Sequence, residues 1–104
     1  MGLDITIREY KGIDEKGFLK MITPEEDLQY TTDRVAIRHE LDKHIKFKIL
    51  KCNDYYNWEE YYRPENFEEA YKWCNTLKDG DKNYVEKLLD SLSMNDNYWL
   101  EYGY

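Results

Sequence analysis

The stretch Asp33-Arg34-Val35-Ala36-Ile37-Arg38-His39-Glu40-Leu41-Asp42-Lys43-His44-Ile45-Lys46-Phe47-Lys48-Ile49 changes its hydrophobic period partway along. Ile37, Leu41 and Ile45 recur every fourth residue, which is one stripe of a helix near 33–44. From Ile45 the period falls to two. Ile45, Phe47 and Ile49 alternate with Lys46 and Lys48, the pattern of a strand near 45–51 with one face buried. A helix that feeds directly into a half-polar strand predicts an α+β domain, with helices packed on a small antiparallel or mixed sheet.

The same two periods recur on either side. Leu3, Ile5 and Ile7 alternate with Asp4, Thr6 and Arg8, predicting a strand near 3–10. Lys11 to Gly17 reads as a turn, and Phe18 to Ile22 as either a return strand or a short packed loop. Thr23-Pro24-Glu25-Glu26 has the residues of a helix start, so a short helix ending about Tyr30 is expected. Residues 52–64 show no period and are expected to be irregular. Asn66 with Glu69 forms a capping-box pattern, and Phe67, Ala70, Tyr71, Cys74 and Leu77 share one helical face, giving a helix near 66–77. Lys78-Asp79-Gly80-Asp81 reads as a break before a helix near 82–93 that buries Val85, Leu88, Leu89 and Leu92. Tyr98-Trp99-Leu100-Glu101-Tyr102 supplies a last strand near 97–103. With 104 residues and no internal repeat, the chain is expected to form a single domain over 1–104.

Charge and aromatic residues are unevenly divided. The net charge of −7 belongs to residues 53–104, since residues 1–52 hold ten acids and ten bases. The second half also holds Trp58, Trp73, Trp99 and nine of the eleven tyrosines. Tyrosine joins apolar area to a hydrogen-bonding tip and suits surfaces covered by a partner. An acidic domain repels phosphate backbones, so no direct nucleic-acid binding is expected. No apolar run approaches the ~20 residues that cross a bilayer, so no membrane partner is expected. No secretory leader is evident, and Cys52 and Cys74 are expected to be free thiols in a cytoplasmic protein.

Between Asp54 and Glu69 lie six acids, six aromatics and a single base, Arg63. Rigid rings give contact area at small entropic cost, and carboxylates draw in a basic partner. The expected partner-binding surface is therefore Asp54, Tyr55, Tyr56, Trp58, Glu59, Glu60, Tyr61, Tyr62, Glu65, Glu68 and Glu69. The plainer alternative is that the rings fill the domain's own core beneath a solvated acidic loop. Lys43, Lys46, Lys48 and Lys51 surround Phe47 and could meet a single strand of nucleic acid, although lysines on the polar side of a strand ordinarily face solvent and protect an edge.

No residue set calls for a cofactor or a metal. His39 and His44 are about 140° apart on a helix and do not converge on one ion. Asp79, Asp81, Asn83 and Asp90 match four positions of a calcium loop, but Tyr84 stands where that loop turns on glycine. A turn and helix cap is the expected role of the first of these. Cys74 lies on an apolar stripe and reads as a small buried hydrophobe.

The opening Met1-Gly2-Leu3-Asp4-Ile5, followed by a strand, is similar to the start of many short bacteriophage proteins, a likeness confined to residues 1–10. The acidic, tyrosine-rich remainder looks like phage-encoded inhibitors of host defence, including anti-CRISPR proteins. What this resemblance implies is an inhibitory binding protein, without saying which target; taken with the acidic, aromatic second half, the expectation is a non-catalytic phage or mobile-element protein that occupies a basic surface of a host protein such as a nucleic-acid-binding nuclease. Two other readings are a small enzyme using Glu59 and Glu60 as acid and base, and a structural protein whose tyrosines form a homodimer.

Overall fold

A computed structural model describes residues 3–24, 29–32, 36–51 and 59–103. Their order is β1 (Leu3–Ile13), β2 (Leu19–Ile22), β3 (Gln29–Thr32), α1 (Ala36–His44), β4 (Phe47–Lys51), β5 (Glu60–Pro64), α2 (Phe67–Cys74), α3 (Asp79–Ser93) and β6 (Tyr98–Gly103). All pairings are antiparallel, and the strand order is β2-β1-β6-β5-β4 with β3 also on β1. The fold is α+β with one small sheet.

β1 organises that sheet because its 11 residues are enough to pair with three strands. One edge takes β3 along Leu3–Thr6 and β2 from Glu9 onward, while the other edge takes β6 from Asp4 to Glu9. Gly12, at φ +95°, sits where the β1–β2 register shifts, a backbone position that residues with a Cβ disfavour. The Phe18–Ile22 stretch is thus a return strand from Leu19. Its turn is held by Asp14, whose Oδ1 accepts from the backbone N–H groups of Lys16 and Phe18.

Helical and strand periods meet in one core. Ile5 and Ile7 of β1, Tyr98 and Leu100 of β6, and Ile37 and Leu41 of α1 with Ile45 just beyond it are all buried. So are Ala70 and Cys74 of α2 and Val85, Leu88, Leu89 and Leu92 of α3. Burying a leucine-sized side chain contributes roughly 1.5–3 kcal/mol before entropy is counted, and Leu88, Leu89 and Leu92 are each no more than 1% exposed. The Asn66 half of the expected capping box forms at α2, with Asn66 Oδ1 accepting from the Glu69 N–H at 3.2 Å.

Three expectations need correction. The short helix expected to run to about Tyr30 gives way to β3, a strand from Gln29, because pairing with Leu3–Thr6 overrides local helix signals; residues 25–28 lie outside the described residues. Residues 60–64, expected to be irregular, are β5, paired on both sides. The expected break at Lys78-Asp79-Gly80-Asp81 comes earlier: α2 ends at Cys74, and α3 already includes Asp79 and Gly80.

Candidate functional site

β5 is the element that sorts the candidate residues. Its register against β4 pairs Tyr62 with Ile49 and Tyr61 with Leu50, and its one pair with β6 joins Tyr62 to Leu100. Leu100 is in the core, so Tyr62 faces the helices and Tyr61, by strand alternation, faces away. Tyr62 packs edge-on to Phe47 at 5.9 Å and lies 5.2 Å from the Tyr102 ring. Tyr61 is 5% exposed on the opposite side. Both rings belong to the domain's own packing, which corrects the expectation that they are offered to a partner. Strand residues alternate faces, and tyrosine serves either face with its hydroxyl turned to a polar group.

Each hydroxyl finds a carboxylate two residues back. Tyr61 donates to Glu59 Oε2 at 2.8 Å and Tyr62 to Glu60 Oε2 at 2.7 Å. Burial first, then the Glu60 bond and charge, push the Tyr62 hydroxyl above its ordinary pKa. The two glutamates therefore lie on opposite faces of the strand and do not converge on a common substrate atom. Glu60 is half-buried, whereas Glu59 is exposed.

Past the end of β5 the carboxylates open to solvent. Glu65, Glu68 and Glu69 are all exposed, and none has an ion-pair partner among the described residues. They sit at the start of α2, where the helix dipole favours negative charge. At ~3.3 Å per strand residue, about 20 Å of chain separates Glu59 from Glu65, so Glu59 stands apart from that group. Asp54, Tyr55, Tyr56 and Trp58 lie outside the described residues, as does Cys52.

Arg63, the single base of the acidic stretch, is turned inward. Its side chain is 12% exposed. Nη1 donates to the carbonyl oxygens of Leu92 at 3.0 Å, Asn95 at 3.0 Å and Tyr98 at 2.8 Å. Nη2 lies 3.7 Å from Asp96 Oδ1, and the guanidinium stands 4.9 Å from the Phe67 ring centre. Burial lowers its pKa and the charge of Asp96 raises it. With Arg63 withdrawn, the exposed surface between Glu59 and Glu69 is purely anionic among its charged side chains. Nothing in residue type or spacing announced that withdrawal.

The remaining candidates fall into ordinary roles. His44 stacks on Trp73 at 5.2 Å and sits 3.3 Å from Glu40, away from His39. Cys74 is a buried free thiol, pushed up by desolvation and then by Glu86. Asp79, Asp81, Asn83 and Asp90 lie along the continuous helix α3, where they cannot form a calcium loop. Among the described residues no helix is long and apolar enough to cross a membrane. No protein-family model matches this chain, and no match was found among curated proteins or solved structures.

Proposed function

We propose that this chain is a non-catalytic binding domain of the phage or mobile-element kind, acting in the host cytoplasm. It inhibits a host nucleic-acid-handling or defence protein by occupying that protein's basic surface. The observation that supports this reading is the trio Glu65, Glu68 and Glu69, exposed on one helix start without cationic partners among the described residues. Such a trio attracts lysine and arginine side chains and accelerates encounter with them. The rigid cap at Asn66 adds to this, because a preorganised anionic surface gives up little entropy on binding.

The test is capture from a bacterial host lysate, identification of the retained protein, and titration of its nucleic-acid binding or cleavage with this chain. The expected result is stoichiometric inhibition that weakens with added salt. Combined Glu65→Lys, Glu68→Lys and Glu69→Lys should weaken it at least about tenfold, with circular dichroism confirming that α2 persists. Equal inhibition by the reversed variant would remove this surface from the proposal, and absence of any inhibition would remove the proposal itself.

A further inference from the structure

Among the described residues β4 is the last strand of the sheet, and its surroundings carry charge of the opposite sign to the α2 trio. The Glu65 N–H donates to the Lys46 carbonyl oxygen at 2.9 Å, which fixes the parity of the β4–β5 ladder. Lys46, Lys48 and Leu50 turn their backbone groups toward β5. The N–H and C=O of Phe47, Ile49 and Lys51 therefore turn toward the open edge. Their side chains alternate too, so Phe47 and Ile49 share the face of Tyr62.

On that face Phe47, Ile49 and Tyr62 meet the last turn of α1 around a groove of about 460 Å³. Ile49 is 49% exposed there, an apolar side chain left open to water. Lys43 and Lys46 line the groove, Lys51 follows Ile49 on the same face of the strand, and Lys48 stands on the opposite face of the same edge. None of the four has an ion-pair partner among the described residues. Asp42, the one acid lining the groove, lies 3.9 Å from Arg38.

We propose that this edge receives an extended acidic peptide segment of another protein, which adds to the sheet as a further strand. One aliphatic side chain of the peptide enters the groove beside Ile49, and its carboxylates meet the lysines. Edge protection alone accounts for the lysines but leaves the groove and the open Ile49 unexplained. A second copy of β4 fits poorly, because it brings the same unpaired lysines to the shared edge and no carboxylate of its own to neutralise them. Nucleic acid fits poorly as well, since the Phe47 and Tyr62 rings are already packed on one another and Ile49 offers no stacking face.

The probe is a synthetic peptide alternating glutamate with valine or isoleucine, added to the isotope-labelled full chain and followed by amide chemical shifts. Saturable shifts centred on Phe47, Ile49 and Lys51 are expected. Methylating alternate peptide nitrogens, or the substitution Ile49→Asp, should weaken binding at least about tenfold by removing ladder donors or the apolar contact. A peptide of the same composition with its acids in one block should bind at least about tenfold more weakly. Four results would overturn the proposal: no saturable shift on the wild-type chain, undiminished binding of the methylated peptide, shifts of the same amides on raising protein concentration alone, or tighter binding of an oligothymidylate at the same amides. The wild-type shifts decide the matter even where Ile49→Asp does not fold.

Discussion

The guanidinium of Arg63 donates to the carbonyl oxygen of Tyr98 at 2.8 Å, where the neighbouring Pro64 has no N–H to offer. Tyr62 pairs with Leu100, and continuing that register sets Pro64 opposite Tyr98. A side chain thus fills a gap in a backbone ladder and also binds the carbonyl oxygens of Leu92 in the last turn of α3 and of Asn95 just beyond it. Arg63→Ala should destabilise the domain by about 3 kcal/mol, since it leaves part-buried acceptors without their charged donor. Arg63→Lys, with a compact ammonium in place of the fork, should lose about half as much. Urea unfolding of the two variants measures both, and an alanine loss below about 1 kcal/mol would mean that water replaces the guanidinium.

Tyr71 joins α2 to α3 by donating to Asp90 Oδ1 at 2.6 Å. Burial first, then that bond, push its pKa from 10.0 to about 12. Because the folded value is the higher one, the stabilisation is fully present below the unfolded pKa and is lost as pH rises toward about 12. Tyr71→Phe should flatten the fall in stability across that window and shrink the tyrosinate absorbance step at its upper end. An unchanged titration curve would show that Tyr71 ionises with the exposed tyrosines.

Leu88 is 1% exposed between α3 and the sheet. Leu88→Ala should cost about 3 kcal/mol through lost burial and the cavity left behind. Met94, 57% exposed just past α3, should tolerate alanine within about 0.5 kcal/mol. Thermal unfolding of the pair tests the placement of the core, and similar losses at the two positions would contradict it.

Cys74 is fully buried, with its Sγ 3.5 Å from the Lys82 carbonyl oxygen. In a Cys52→Ser background the thiol should resist alkylation at mildly alkaline pH and react quickly once denaturant is added. Rapid modification of the native chain would place it at the surface.

The parts of this fold legible in the sequence are those whose signal is local. The stripe Ile37, Leu41, Ile45, the alternation of Ile5 and Ile7, and the Asn66–Glu69 cap each fall where their spacing placed them. β5 was illegible because Glu60-Tyr61-Tyr62-Arg63-Pro64 has no apolar face. Tyr61 and Tyr62 are drawn in on opposite sides, and only pairing with β4 and β6 makes the segment a strand. β3 was hidden in the same way, its partner lying at the start of the chain. Of the candidate surface, the exposure of Glu59, Glu65, Glu68 and Glu69 follows from charge, but the tyrosines could not be assigned because a phenol suits an interface and a core boundary equally. The groove at β4 needed α1 and β5 to be placed in space before Ile49 could be seen to lie open.

The pairing of β1 with β6, from Asp4–Gly103 to Glu9–Tyr98, also fixes when the domain can be completed during synthesis. Ile5 and Ile7 are made well before β6, the strand that lies along one of their two edges. Until Tyr98–Gly103 leaves the ribosome, the central strand keeps one bare edge, and only its pairings with β2 and β3, α1, the β4–β5 hairpin and the α2–α3 pair can form ahead of it. Translation that stops short of β6 should therefore yield a chain that chaperones and proteases treat as unfinished, and pulse labelling of stalled chains would place the gain of protease resistance at the last strand.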